Sequence, residues 1–252
     1  MTTNIILSGC NGKMGQVISR LVSERDDVNI VFGFDINTEA KFGYPVYSTL
    51  DEANEKGDVV IDFSHPACFD AVTGYCRRTS TPLVMATTGL DKEQNEALDD
   101  LAKVVPVFKT ANMSLGVNLI VNLVKKAAQI LEDNFDIEIV EKHHNQKIDA
   151  PSGTALMIAD EISSVLSETP EYVYDRHSVR KKRGKKEIGL HAVRGGTIVG
   201  EHEVIFAGND EIIEIKHTAM SKEVFAVGSI KAAIFIKDLT PGMYDMKNIM
   251  ES

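Results

Sequence analysis

Residues 4–15 read N-I-I-L-S-G-C-N-G-K-M-G, an apolar run that leads into glycines at positions 9, 12 and 15. The apolar residues predict a short buried strand, and residues 16–22 have the spacing of an amphipathic helix. Glycines between a strand and a helix permit a tight turn, close approach of the backbone to a pyrophosphate, and close helix packing. The G-x-x-G-x-x-G spacing is a variant of the common dinucleotide fingerprint. The stretch therefore predicts a βα unit that binds a nucleotide.

A second strand-like run, at 29–35, supports this interpretation. It ends in Asp35, 20 residues beyond Gly15, where a carboxylate can accept hydrogen bonds from the adenosine ribose. The competing interpretation is a plain turn residue at the end of a strand. Because Ile36 and not a basic residue follows the acid, we expect a preference for NADH. Lys13 could still meet a 2′-phosphate, so NADPH stays open.

Three further strand-like runs alternate with segments of helix length. The strands are at 58–63, 82–86 and 104–108, and the helical segments are at 67–76 and 92–103. Strands that alternate with helices form a parallel, doubly wound sheet, so we expect an α/β, Rossmann-like N-terminal half. Ligands of such sheets bind beyond the carboxyl ends of the strands. The small polar segments there are candidates to flank a nicotinamide ring, although each also has the composition of an ordinary turn: 63–66, 87–89 and 110–113.

The pattern changes after residue 116. The predicted elements are helices at 119–131 and from 154 to about 166, and strands at 136–140, 187–193, 201–206 and 211–216. Strands joined by short turns indicate an antiparallel or mixed sheet, so this part is expected to be a smaller α+β domain. A last helix at 223–237 is expected to return to the first domain. The predicted division is therefore 1–112 with 223–252, and 113–222.

Residues 141–155, E-K-H-H-N-Q-K-I-D-A-P-S-G-T-A, join a strand end to a helix start. Ser152 or Thr154 can cap that helix, and the backbone N–H groups of Gly153 and Thr154 are left without partners inside the helix. Such a helix start binds carboxylates or phosphates. Lys147 adds a cation, and His143 and His144 titrate near neutrality, so the segment can hold an anion and move a proton.

Two other interpretations of this segment compete. A Ser-Gly-Thr turn is often only a helix cap, and a single histidine is often a surface or core residue. Two adjacent histidines also suggest zinc. Neighbouring residues of a strand point to opposite faces, however, and no Cys pair or H-E-x-x-H motif supplies further ligands. No metal site is predicted.

The composition excludes several classes of partner. The chain has 252 residues and a formal net charge of −10, which disfavours nucleic acids and anionic membranes as main partners. We find no apolar run of membrane-spanning length and no signal peptide, and the three cysteines form no C-x-x-C pair. A cytoplasmic location with free thiols is expected. A basic run at 180–186 is either a solvated loop, which is favoured, or a flap that attracts anionic ligands.

These motifs together resemble dihydrodipicolinate reductase, also called 4-hydroxy-tetrahydrodipicolinate reductase, of the bacterial diaminopimelate and lysine pathway. The resemblance is carried by G-C-N-G-K-M-G at 9–15, A-T-T-G at 86–89, A-N-M-S-L-G-V-N at 111–118 and, above all, H-H-N-Q-K-I-D-A-P-S-G-T-A at 143–155. It extends over essentially the whole chain.

The resemblance implies roles for individual residues. His143 matches the proton donor or acceptor of the family and Lys147 its proton donor; which of the two delivers the proton is open. Substrate-binding positions are matched by His144, Ser152, Gly153 and Thr154. Cofactor positions for NADH or NADPH are matched by Gly9, Cys10, Asn11, Gly12, Lys13, Met14, Asp35, Ala86, Thr87, Thr88, Thr110, Ala111, Asn112 and Met113.

The resemblance also implies an activity and an assembly. The chain would reduce a cyclic dicarboxylate with NAD(P)H, its first domain holding the dinucleotide and its second binding substrate and joining copies into a homotetramer. Two departures affect detail: Ile36 replaces an arginine found in some members, and Lys222 stands where others have arginine. Two alternatives are a regulator that senses NADH and a related two-domain dehydrogenase that acts on another anionic substrate.

Overall fold

A computed structural model describes residues 2–252 of the chain. Its contacts divide the chain into two compact units. Unit 1 comprises the chain up to Ser114 together with Glu223–Ser252, and unit 2 comprises Leu115–Lys222. In the described residues, no helix is long and apolar enough to cross a membrane.

The chain alternates between strands and helices in unit 1 and groups its strands in unit 2. The strands are β1 Thr3–Ser8, β2 Val28–Phe34, β3 Val46–Tyr47, β4 Val59–Asp62, β5 Leu83–Met85, β6 Pro106–Lys109, β7 Asp136–His143, β8 Glu171–Val173, β9 Glu187–Arg194, β10 Gly200–Ala207, β11 Ile212–Ala219 and β12 Gly242–Tyr244. The α-helices are α1 Lys13–Ser23, α2 Phe69–Thr79, α3 Lys92–Ala102, α4 Leu115–Leu131, α5 Gly153–Ser163, α6 Glu223–Ile236 and α7 Met246–Glu251.

Unit 1 is built on a seven-stranded sheet in the order β12-β6-β5-β4-β1-β2-β3. Every pair in this sheet is parallel, which confirms the predicted Rossmann-like sheet. Its central strands are mostly apolar and largely buried, as in a parallel sheet covered by helices on both faces. The short strands β3 and β12 at the two edges were not predicted, because runs of two or three residues carry no periodic signal.

Helix α6 packs closely against the segment that follows β6. A Cβ atom placed on Gly228 would lie 1.7 Å from the carbonyl oxygen of Met113. Ala226, Ala232 and Ala233 on the same helix are also fully buried. The glycine lets the helix backbone approach Met113, the last residue of the segment predicted to flank a nicotinamide.

Unit 2 contains a five-stranded mixed sheet in the order β11-β10-β7-β9-β8. Strand β7 lies at its centre, antiparallel to β10 and parallel to β9. One face is covered by α4 and α5, whose apolar residues form a core with Ile137 and Ile139. The sheet confirms the predicted α+β fold of this part.

The predicted end of β7 at Val140 was wrong, because β9 and β10 pair with it as far as His143 and Lys142. Buried and half-buried residues alternate along the whole strand. Glu141 and His143 therefore lie on the same face as Ile137 and Ile139, which is the face that α5 covers.

Candidate active site

The glycine turn of unit 1, residues 9–15, leaves no room for side chains at Gly9 or Gly15. Gly9 has a φ of +75°, and a Cβ there would lie 2.6 Å from the carbonyl oxygen of Phe63. A Cβ on Gly15 would lie 2.2 Å from the carbonyl oxygen of Gly9. Helix α1 then begins at Lys13 with no side-chain cap and no acidic residue in its first turn. Its first N–H groups remain available for an anion such as a pyrophosphate.

Asp35 is tied to this turn. Its carboxylate accepts hydrogen bonds from the backbone N–H of Asn11 (2.9 Å) and of Asn37 (3.1 Å). The side-chain amide of Asn11 donates in turn to the carbonyl oxygens of Asn37 (2.6 Å) and Glu39 (2.9 Å). These hydrogen bonds tie the turn to the acid. Beside it, the side chain of Ile36 is 92% exposed.

Cys10 is placed differently from the other residues of the turn. Its side chain is fully buried beneath the loop, against Gly33. Burial and the nearby charge of Asp35 raise the pKa of the thiol to about 11, so the thiol is neutral at pH 7. Only the backbone of Cys10 is therefore available to a nucleotide.

A cavity of about 280 Å³ opens at the carboxyl ends of β4, β5 and β6. It brings together eight of the predicted cofactor residues: Met14, Ala86, Thr87, Thr88, Thr110, Ala111, Asn112 and Met113. The cavity is also lined by three residues that the sequence analysis did not predict there: Met85, Lys109 and Phe225. Phe225 lies on α6, more than a hundred residues after Met113 in the chain, so no local pattern could place it here.

Asp62 holds one of the residues that line this cavity, Thr87, in place. It is buried at the end of β4, and its carboxylate accepts hydrogen bonds from the Thr87 hydroxyl (2.8 Å) and the Ser64 hydroxyl (2.6 Å). The glycine turn, the uncapped helix start, the strand-end acid and the cavity together fit a nicotinamide dinucleotide.

In unit 2 the predicted proton-transfer residue His143 lies beside a carboxylate that the sequence analysis did not single out. Glu141 is fully buried, and its carboxylate lies 2.6 Å from Nδ1 of His143. Both guanidinium Nη atoms of Arg194 donate to it at 2.7 Å. The alternation of β7 was the one sequence signal that could have placed Glu141 on the face of His143.

Ser152 makes three hydrogen-bond contacts within the protein, one through its backbone N–H and two through its hydroxyl. Its backbone N–H donates to Glu141 (3.0 Å), and its hydroxyl accepts from the Ala155 N–H (3.1 Å) as the cap of α5. The same hydroxyl lies 3.0 Å from Nε2 of His202. Of the predicted anion-binding segment, Gly153 and Thr154 form the first turn of α5.

His202 is a further residue missed by the sequence analysis. It lies on β10, is 4% exposed, and packs edge-to-face on His143 with ring centroids 5.2 Å apart. Burial and the proximity of His143 lower its pKa to about 4, so the ring is neutral at pH 7. Its Nδ1 atom is buried and has no hydrogen-bond partner among the described residues.

Lys147 lies in the loop between β7 and α5. Its ammonium pairs with Asp149 at 2.8 Å, and its backbone N–H donates to the carbonyl oxygen of His144. This pairing lowers the pKa of the Asp149 carboxyl. His144 itself is half-buried. Among residues 2–252, no cluster of three or more His, Cys, Asp or Glu side chains is arranged to hold a metal ion.

The basic run is partly held by acidic side chains of unit 2. Arg183 pairs with Glu138 (2.9 Å) and Asp136 (3.0 Å). Lys181 pairs with Glu187 at 3.3 Å. Hydrogen bonds from Arg176 and the backbone lower the pKa of Glu187 to about 2. Several of these cations therefore serve the structure of the loop and are not free to attract a ligand.

Comparison with known proteins identifies the family. Residues 3–113 match the family model described as "Dihydrodipicolinate reductase, N-terminus" and residues 116–250 match "Dihydrodipicolinate reductase, C-terminus". The 4-hydroxy-tetrahydrodipicolinate reductase of Caldanaerobacter subterraneus subsp. tengcongensis is 51% identical over 100% of this chain and 99% of its own length. That of Clostridium novyi is 48% identical over 99% of each chain.

Solved structures agree with these sequence matches. The dipicolinate-bound dihydrodipicolinate reductase from Paenisporosarcina sp. TG-14 superposes with a TM-score of 0.83 at 25% identity, over 99% of this chain and 100% of that one. Because both family models and full-length relatives match, the chain belongs to the dihydrodipicolinate reductase family.

Proposed function

We propose that this chain reduces (2S,4S)-4-hydroxy-2,3,4,5-tetrahydrodipicolinate to tetrahydrodipicolinate, with loss of water and at the expense of NADH or NADPH. The observation that carries the proposal is the full-length match to relatives named 4-hydroxy-tetrahydrodipicolinate reductase. The geometry supports it, because unit 1 has the features of a dinucleotide site and unit 2 joins a titratable His143 to a helix start. We assign dinucleotide binding to unit 1 and substrate binding to unit 2.

NADH or NADPH supplies the hydride when it is bound. The glycine turn and the start of α1 would hold its pyrophosphate, Asp35 its adenosine ribose, and the cavity at residues 86–88 and 110–113 its nicotinamide. Because the residue after Asp35 is the exposed Ile36, we propose that NADH is preferred. An apolar side chain there offers no charge to a 2′-phosphate.

The substrate is a dicarboxylate, so its site must hold two negative charges. The Gly153 and Thr154 N–H groups at the start of α5, with Lys147, would hold one carboxylate. His144 would contribute to the other. Ser152 acts indirectly in this proposal, because its hydroxyl caps α5 and its backbone N–H is bonded to Glu141. It sets the position of the helix start, where the backbone N–H groups of Gly153 and Thr154 lie.

The ring first loses its 4-hydroxyl as water, which gives a conjugated imine. Hydride added to C4 of that imine places negative charge on the ring nitrogen, so the reduction consumes one proton. His143 is one candidate donor, and its Nε2 atom is the one that Glu141 does not engage. Lys147 is the other candidate. A positioned acid of this kind contributes about 10²- to 10⁴-fold to a rate.

We also propose a homotetramer joined through the outer face of the unit 2 sheet. That face carries Val140 and Val193 among paired charges such as Lys142 with Glu201, a mixture that suits contact with a second copy. We propose that the enzyme works in the cytoplasm, because it draws on the cellular NAD(P)H pool.

A coupled assay tests the proposal. Dihydrodipicolinate synthase generates the substrate in situ, and the absorbance of NADH or NADPH is followed with the purified chain. We expect oxidation that depends on both the synthase product and the chain, and faster turnover with NADH at equal subsaturating concentrations. No oxidation of either nucleotide would exclude the reductase activity.

A further inference from the structure

The carboxylate of Glu141 has four hydrogen-bond partners although no part of the residue reaches solvent. They are Nδ1 of His143 at 2.6 Å, the two Nη atoms of Arg194 at 2.7 Å each, and the Ser152 N–H at 3.0 Å. An isolated buried charge is strongly disfavoured, whereas a bidentate arginine and further donors compensate its desolvation. Burial alone would raise the pKa of Glu141, but these contacts outweigh it and the pKa is lowered. Glu141 is therefore ionised at neutral pH.

An ionised carboxylate can only accept hydrogen bonds, and this decides the tautomer of His143. The contact at 2.6 Å requires that Nδ1 carry the proton. The lone pair of the neutral ring then lies on Nε2, which is the atom that can gain and release a proton. Gly200 lies close to this atom: a Cβ there would come within 3.1 Å of Nε2, so the glycine keeps a side chain away from it.

We propose that Glu141 is a positioning residue for proton transfer: it holds His143 in the Nδ1-protonated tautomer and stabilises the ring when Nε2 is protonated. The inference rests on the proposed function. Through Arg194, which also donates to the Asp149 carbonyl oxygen (2.6 Å), the same carboxylate supports the loop that carries Lys147. The Ser152 contact links it to α5. One buried charge thus sets the positions of both His143 and the start of α5.

The tautomer can be read without any substrate. Histidine labelled with ¹⁵N gives side-chain correlation spectra that distinguish Nδ1–H from Nε2–H rings, and His143→Gln identifies the signal among the seven histidines. We expect the Nδ1–H pattern in the wild-type chain and a mixture or the Nε2–H pattern in Glu141→Gln. A wild-type His143 ring with the proton on Nε2 would overturn the inference. Because this readout needs no turnover, it separates failure of this inference from failure of the proposed function.

Kinetics supply the second readout. Loss of a residue that orients a reacting histidine is expected to lower kcat about 100-fold, with KM for the nucleotide changed less than about threefold. The matched control is Glu161→Gln, which removes a carboxylate paired with Lys125 elsewhere in unit 2 and should leave kcat unchanged. A kcat for Glu141→Gln within about threefold of the wild type would contradict the role.

A second variant guards against misfolding. Removing one partner of a buried ion pair strands the other charge, whereas removing both is milder. If Glu141→Gln does not fold, Glu141→Gln combined with Arg194→Met should fold, with the altered tautomer and the lowered kcat. A folded double variant with wild-type kcat would sink the proposal as surely as an active single variant.

Discussion

The glycine turn of unit 1 and the histidine segment of unit 2 build their sites in opposite ways. Around residues 9–15 the site is mostly backbone, made possible by missing side chains, and the one thiol there is buried beneath the loop. Around Glu141 the site is made of charged and titratable side chains that are held by one another. In the proposed function, the first region binds the nucleotide through shape and backbone N–H groups, whereas the second transfers a proton.

This contrast determines how each region should fail. Substitution in the histidine segment should lower kcat while the nucleotide still binds. Substitution in the glycine turn should weaken nucleotide binding without altering the pH dependence that arises from His202 in unit 2. The predictions below test that separation, in order of decreasing effect.

The largest effect is expected at the proton donor. His143→Gln and Lys147→Ala should each lower kcat, and the true donor should lose about 10²- to 10⁴-fold. Nucleotide affinity, measured by quenching or calorimetry, should stay within about threefold, because both residues belong to unit 2. Near-normal turnover in both variants would show that neither delivers the proton.

The next effect is on stability and depends on His202. Its pKa is lowered from the usual 6.5 to about 4, so between these values the unfolded chain binds a proton that the folded chain does not. The free energy of unfolding should therefore fall as the pH drops from 6.5 to 4, by up to about 3 kcal/mol. Urea unfolding of the wild type and of His202→Gln, compared at pH 7 and pH 4.5, measures this term. Equal pH dependence in the two proteins would contradict a neutral buried ring.

A smaller effect should follow crowding of the glycine turn. In Gly15→Ala the new Cβ meets the Gly9 carbonyl oxygen, and such overpacking costs about 1–3 kcal/mol. We expect a raised KM for the nucleotide and a lower unfolding midpoint. Gly74→Ala is the matched control, since a Cβ there meets only the flexible end of Arg78. Unchanged nucleotide KM in Gly15→Ala would show that the turn does not approach the ligand closely.

The smallest effect is expected in the choice of nucleotide. Ile36→Arg places a cation beside Asp35 and should shift the ratio of kcat/KM for NADPH over NADH upward by about tenfold, or 1.4 kcal/mol. Ile36→Leu is the control and should leave the ratio unaltered. A ratio that does not respond to the arginine would remove this position from nucleotide selection.

Local patterns made the first region predictable and left the second incomplete. Glycine spacing, alternating strands and helices, and the acid at position 35 all lie within short stretches, so the parallel sheet could be foreseen. Glu141 meets Arg194 across 53 residues and Ser152 meets His202 across 50. These contacts depend on how β7 aligns with β9 and β10, and no local pattern specifies that register. The alternation in β7, continued beyond Val140, could have pointed to Glu141, but only its three-dimensional partners explain why a charge is buried there.

A crystal structure with pyridine-2,6-dicarboxylate bound tests the central claim most directly. We predict one carboxylate within hydrogen-bond distance of the Gly153 and Thr154 N–H groups, with Lys147 beside it and His143 facing the ring. A diacid bound away from the start of α5 would contradict the proposed site.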